Sequence, residues 1–336
     1  MKPFLSLRRP IWATTIFLLA GSLLAGAAGT YFTTNSTGVG HSPVSIASAD
    51  VNGDGRADLV FAEPENGLLT LRLQQPDGSL GAASSFPTLA GVSDIAAADW
   101  DGDGLPDIMT NGIWGKVVWY KNIGTRTAPR LAPAQAVEVA PGTVSPKPAW
   151  NWWNPAGREF VTQWRTTPQM IDWNGDGLMD LVMSDHEGYL ALFERKRAAD
   201  GTLTLSAGQR VFWSEGVSVF NSNGLPQNKE SGLLRINDGV NGRSGRRTFC
   251  ITDWDGDGQP DLLFNSAPNV NFLRGLGRDA QGRWRFRDEG PVSTHVLAGH
   301  ATKPTAVNRG AGVPPDLLIG AEDGFFYQVK NPRSRR

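Results

Sequence analysis

The sequence predicts an all-β fold, a β-propeller of five to seven four-stranded antiparallel blades, and three observations carry that prediction. A nine-residue acidic, glycine-rich phrase recurs at Asp50, Asp99, Asp172 and Asp253. Short apolar runs of strand length bracket each copy. Glycine (40) and proline (22) are frequent among the 336 residues, so turns punctuate the chain and leave little room for long helices.

The N-terminal segment comes first. Lys2, Arg8 and Arg9 precede the apolar run IWATTIFLLAGSLLAGAAG, and Ala25 and Ala27 suit a small-residue cleavage site. Residues 1–27 therefore read as a secretory signal peptide. An uncleaved anchor is the other reading, because Ile11 to Ala28 approaches the roughly 20 residues that span a bilayer. Cleavage after Ala27 removes three basic residues and moves the formal charge from −1 to −4. The expected mature chain is secreted or periplasmic, without stable membrane insertion. Residues 28–41 are then a linker or closing strand, 42–330 the propeller and 331–336 a basic tail.

Lys plus Arg (32) nearly balance Asp plus Glu (33), which gives no electrostatic case for a nucleic-acid partner. Cys250 is the sole cysteine, so neither an intramolecular disulfide nor a cysteine-based zinc cluster is available. Cross-links must come from elsewhere.

The repeat supplies them. Its copies read DVNGDGRAD, DWDGDGLPD, DWNGDGLMD and DWDGDGQPD, and a decayed copy, NRGAGVPPD, runs from Asn308 to Asp316. Acidic or amide residues occupy positions 1, 3, 5 and 9, and glycines occupy positions 4 and 6. Glycines with positive φ let such a loop curl until alternate side chains converge. A hard cation such as Ca²⁺ takes about six to eight oxygens at roughly 2.3–2.6 Å, whereas Mg²⁺ prefers a strict octahedron and keeps its waters. The side-chain donors are Asp50, Asn52, Asp54 and Asp58; Asp99, Asp101, Asp103 and Asp107; Asp172, Asn174, Asp176 and Asp180; and Asp253, Asp255, Asp257 and Asp261. Arg56, Leu105, Leu178 and Gln259, at position 7, add backbone carbonyls. About four structural Ca²⁺ ions are expected, one per complete copy.

An EF-hand begins with the same phrase but needs a bidentate glutamate at position 12 and flanking helices. Position 12 here is Phe61, Thr110, Met183 and Phe264, so that ligand is missing each time. The following runs LVFA, IMTN, LVMS and LLFN, and preceding runs such as SIASA, DIAAA and TFCIT, read as strands. Each loop joins strand to strand. A turn and a third strand come next, as in Gly67 with LLTLRL, Gly115 with KVVWY, Gly188 with YLALF and Gly324 with FFYQV. A further strand, such as that around LTLSAGQRVFW, completes a four-stranded unit, and radial repetition of such units is a propeller.

On these motifs the sequence resembles the FG-GAP/VCBS repeat family, whose D-x-D/N-x-D-G-x-x-D loops bind calcium between blade strands, as in the integrin α-chain head. The resemblance spans roughly residues 42 to 330. It implies calcium ligands at the four complete copies only, since Gly310 and Gly312 replace the acids in the fifth. Copies begin at 50, 99, 172, 253 and 308, spaced 49, 73, 81 and 55 residues apart, so the two long intervals hold insertions or metal-free blades. Those inserts are residues 143–164 and 216–248.

Trp100, Trp173 and Trp254 share position 2 of the loop, which points to packing between blades. Trp150, Trp152 and Trp153 lie outside the repeat, in PAWNWWNP, where indoles either stack on sugar rings or plug a central channel. Arg243, Arg246 and Arg247 form a basic cluster that reads as a solvated loop or a contact for a uronic acid. Asp185, His186 and Glu187 read as a surface hairpin. Nucleophile elbow, phosphate loop, zinc motif and dinucleotide fingerprint are all missing. The favoured function is a secreted, calcium-stabilised module that binds a glycan or an extracellular protein. The alternative, implied by the resemblance, is a polysaccharide lyase on the same propeller, with catalytic residues that the sequence does not identify.

Overall fold

The computed structural model describes residues 16–17, 36–37, 45–56, 58–63, 66–77, 79–88, 91–112, 114–151, 153–215, 232–236, 247–266, 269–292, 303–307, 314–320 and 326–331. Most of the expected signal peptide and linker, Trp152, Arg243, Arg246, most of the 216–248 insert, residues 308–313 of the decayed loop and residues 332–336 of the tail lie outside the described residues. Among the described residues the fold is all-β, and no helix is long and apolar enough to cross a membrane.

Two short strands, β1 (Ile16–Phe17) and β2 (Ser36–Thr37), pair with each other. The first large sheet is four-stranded, in the order β3 (Ser45–Ala49), β4 (Asp58–Glu63), β5 (Leu68–Gln74) and β6 (Leu80–Pro87). The second repeats that pattern with β7 (Val92–Ala98), β8 (Asp107–Gly112), β9 (Val117–Tyr120) and β10 (Gln135–Ala136). The third has three strands, β11 (Gln169–Ile171), β12 (Asp180–Ser184) and β13 (Leu190–Phe193), and a hairpin of β14 (Arg195–Arg197) and β15 (Leu203–Leu205) follows it. The fourth has five strands: β16 (Phe212–Glu215) is added to β17 (Phe249–Thr252), β18 (Asp261–Ser266), β19 (Asn269–Arg278) and β20 (Trp284–Pro291). The fifth has three, β21 (Thr305–Val307), β22 (Asp316–Gly320) and β23 (Phe326–Val329).

One register recurs in all five. The aspartate at loop position 9 opens the second strand and faces the end of the first: Ala49↔Asp58, Ala98↔Asp107, Ile171↔Asp180, Thr252↔Asp261 and Val307↔Asp316. The loops therefore join strand to strand, as the apolar runs predict.

Strand number departs from four per unit, and the reason lies in LTLSAGQRVFW. Leu203–Leu205 pairs with β14, whereas Phe212–Glu215 crosses to the next sheet and pairs in parallel with β20. Phe212 drives the crossing: it is fully buried between the third and fourth sheets, edge-on to Trp173 at 5.1 Å. Residues 143–164 contribute no named strand among the described residues, only isolated pairings such as Lys116↔Val161 and Glu138↔Glu159.

Successive side chains of a strand point to opposite faces, and each second strand uses both. Ile108 enters the core shared by the first and second sheets, and Met109 the core shared by the second and third. Leu181 and Val182, then Leu262 and Leu263, repeat this division one sheet further along each time. That two-sided burial is why these runs are continuously apolar rather than alternating. Lys303, two residues before the fifth sheet, donates from Nζ to Ile95 O of β7 at 3.1 Å across 208 positions.

Cys250 sits in the core between the fourth and fifth sheets at 5 % exposure, and burial pushes its thiol up to about 12. At pH 8 the native protein should react with a disulfide reagent more than about a hundredfold more slowly than the denatured chain, because the thiolate is the nucleophile. Equal rates in a colorimetric thiol assay would mean that this core is open.

Candidate metal centres

In each complete loop the glycines at positions 4 and 6 have positive φ, from 71° at Gly53 to 87° at Gly104. An L side chain is strained there, so the curl depends on glycine. The position-1 carboxylate sits inside the curl and accepts backbone N–H groups. Asp99 takes them from Gly102 (2.8 Å), Asp103 (3.1 Å) and Gly104 (2.8 Å). Asp172 and Asp253 repeat all three bonds, and Asp50 accepts from Asp54 and Gly55. The position-5 carboxylate accepts the position-7 N–H, so Arg56, Leu105, Leu178 and Gln259 are each fixed by a bond of 2.9 to 3.0 Å.

Position 9 holds the one acid that is fully buried in all four loops. Asp58, Asp107, Asp180 and Asp261 have no exposed surface. One oxygen accepts the position-2 N–H of Val51, Trp100, Trp173 or Trp254, at 2.8 to 3.2 Å. The other accepts an N–H from within the third strand or up to two residues past it: Gln74, Asn122, Arg195 or Gly275, at 2.7 to 2.8 Å. Burial pushes Asp107 and Asp261 up to about 6 despite these bonds, and raises Asp58 and Asp180 as well. The fifth sheet keeps this device: Asp316 is fully buried and accepts the Asn331 N–H at 2.9 Å.

Of the four side chains expected to share a cation, those at positions 1, 3 and 9 come together in two loops, without the position-5 acids Asp103 and Asp257. Carboxylate oxygens of Asp99, Asp101 and Asp107, and likewise of Asp253, Asp255 and Asp261, lie within 4.8 Å of one another. Two oxygens each about 2.4 Å from one Ca²⁺ are separated by no more than about 4.8 Å, so these hard, anionic donor sets fit that ion. Asn52 and Asn174 supply amide oxygens at position 3 of the other two loops, each already accepting the position-5 N–H.

The position-2 tryptophans are buried between successive sheets: Trp100 at 4 %, Trp173 at 8 % and Trp254 at 6 % exposure. The Arg195 guanidinium lies 3.6 Å over the Trp100 ring and donates to Trp100 O at 2.8 Å. Asn331 Nδ2 donates to Trp254 O in the same way.

Away from the loops, Trp150 Nε1 donates to Gln163 Oε1 (3.3 Å), and Trp153 Nε1 donates to Trp114 O (3.2 Å). Trp114, at the β8–β9 hairpin, is 42 % exposed and went unnoticed in the sequence because it stands alone there. Asp185 and Glu187 are both held by Arg210 at 2.6 Å, which suits a structural hairpin. Arg247 is buried enough that its pKa is lowered, and it donates to Asn265 O at 2.9 Å.

Residues 50–110 match the FG-GAP-like repeat family, a span that runs from the first loop through the second into β8. This stretch is an FG-GAP-like repeat. No curated protein matches the chain. Among solved structures the chain is similar to one described as an Agrocybe aegerita lectin recognising non-reducing terminal N-acetylglucosamine. The identity is 16 %, over 87 % of this chain and 67 % of that one, with a TM-score of 0.40. It is also similar to a chain in the crystal structure of BBS1N in complex with ARL6DN, soaked with lead. There the identity is 12 %, over 87 % of this chain and 93 % of that one, with a TM-score of 0.37.

The fifth sheet separates stapling from metal binding, since its loop has Gly310 and Gly312 in place of acids. Asp316→Ala should destabilise the protein by about 1–3 kcal/mol, the cost of stranding a buried N–H. The loss should be equal with calcium and with chelator in urea unfolding. A loss that appears only with calcium would make Asp316 a metal ligand instead.

Proposed function

We propose that the chain is an exported, calcium-stabilised β-propeller, with residues 1–27 removed, 42–330 forming the propeller and 331–336 a basic tail. It acts as a binding module for a glycan or an extracellular protein. The carrying observation is the common hydrogen-bonded curl of the four loops, which in loops 99–107 and 253–261 brings three carboxylates within 4.8 Å of one another. Side chains at positions 1, 3, 5 and 9, with the carbonyls of Arg56, Leu105, Leu178 and Gln259, would hold Ca²⁺. The ion would supply charge neutralisation for carboxylates that otherwise repel one another. Because each loop joins two strands of one sheet, with its buried aspartate reaching the third, a bound ion stabilises three strands at once.

The binding surface belongs to residues that the repeat does not use. Trp114 presents an exposed indole, and Trp153, locked to its carbonyl, extends the aromatic area beside it. Aromatic faces of this kind suit the CH faces of sugars and the apolar anchors of protein partners.

Calcium binding to the native state alone adds about 2.7 kcal/mol per site at a hundredfold excess over the dissociation constant. Chelation should therefore lower the melting temperature by more than about 5 °C, at ~2–4 °C per kcal/mol for a domain of this size. Metal analysis of dialysed protein should return about four calcium ions, and zero or one would reject the reading. Trp114→Ala with Trp153→Ala should reduce binding on a glycan array by at least about tenfold and leave calcium-loaded melting within ~2 °C. Lost stability with unchanged binding would place these indoles in the core.

A further inference from the structure

The residue immediately before each third-strand staple differs from sheet to sheet: Leu73, Lys121, Glu194, Arg274 and Lys330. Among the described residues, two of the five reach back into their own loop, and in the same way. Lys121 Nζ pairs with Asp101 and, at 2.8 Å, with Asp103, the position-3 and position-5 carboxylates. Arg274 pairs with Asp255 and Asp257, both at 2.8 Å, again positions 3 and 5. The register that places these cations is set by the buried aspartate, so it holds in the third sheet too. There the residue is Glu194, engaged by Lys196 at 3.1 Å and Gln209 at 3.5 Å. Asp172, Asn174 and Asp176 make no ion pair among the described residues. In the first sheet Leu73 is neutral, and the loop's own Arg56 pairs with Asp54.

We propose that this one register position grades the loops as cation sites. Loop 172–180, with Glu194, fills at the lowest calcium concentration. Loop 50–58 follows. Loops 99–107 and 253–261 fill last, because Lys121 and Arg274 serve there as internal counter-cations that a divalent ion has to displace. The inference rests on the calcium reading of the loops and adds an order to it. Its physical basis is that one unit charge a few ångströms from a divalent ion is only partly screened by water.

The test is calorimetric calcium titration of the full chain, stripped with chelator, alongside native mass spectrometry at limiting calcium. Glu194→Gln should weaken the first-filling site roughly tenfold and leave the last two unchanged. Lys121→Gln with Arg274→Gln, both on partly exposed side chains, should tighten the last two sites roughly tenfold. Circular dichroism at saturating calcium checks that each variant is folded. Affinities indifferent to both changes, or weakened by removal of the two cations, would overturn the grading while leaving calcium binding intact. A wild-type chain that takes up no calcium would instead overturn the metal reading, and the grading with it.

Discussion

A buried carboxylate joins three pieces of chain in each of the first four large sheets, and the arrangement of the sheets depends on that join. Its two oxygens accept one N–H from the loop before it and one from the third strand or the residues just past it. Hydrogen bonds to a charged acceptor contribute about 1.5–3 kcal/mol each, and leaving either N–H unmet in the interior is comparably unfavourable. The loop, the second strand and the third strand are consequently held in one register. With position 2 fixed, its side chain has one direction to go, into the gap toward the next sheet. In three of the loops that side chain is tryptophan, large enough to fill the gap. Arg195 and Asn331 complete the join from the other side: each carries a staple N–H for its own sheet and a side-chain bond to the carbonyl of the preceding loop's tryptophan.

Sheet-to-sheet packing follows from the same register. The aspartate sets the phase of the second strand, and the next residues divide between two cores, as Ile108 and Met109 do. A one-residue slip would exchange those cores and move the aspartate off its two donors. Hydrophobic burial and the polar staple thus select the same pairing. Agreement between levels of this kind makes one fold much lower in free energy than its competitors.

The loops were legible in the sequence because their chemistry is local. Glycines and carboxylates at fixed spacing dictate the curl without help from the rest of the chain. Strands next to the loops were legible for a related reason, since apolar runs beside a known turn have few alternatives. The staple was not. An aspartate that accepts backbone N–H groups and one that ligates a metal are the same letter, and only Asp316, retained where the other acids are lost, separates the roles. The destination of Phe212–Glu215 was illegible because parallel pairing with β20 joins segments some seventy residues apart. Lys121, Glu194 and Arg274 carried no signal until the staple gave them a common register.

The two ends of each sheet carry different kinds of information. In an antiparallel sheet the connection from first to second strand and that from second to third lie at opposite edges. The acidic loops occupy the first edge and are nearly uniform in backbone conformation. The second edge carries the hairpins at Trp114 and at Asp185–Gly188, which share little beyond the glycine before the third strand, Gly115 and Gly188. The 143–164 segment is fastened to those hairpins. Thr162 N–H donates to Gly115 O at 2.9 Å, Trp153 Nε1 donates to Trp114 O, and Gln163 Nε2 donates to His186 O. A segment outside the repeat, rich in tryptophan, is therefore anchored on the edge that the repeat leaves free to vary. On the proposed reading this divides the labour physically. Ions and staples stiffen one edge, and the stiffness, transmitted through short paired strands, preorganises the aromatic surface on the other. Preorganised side chains lose less entropy on binding, so calcium would raise affinity for a partner that it never touches.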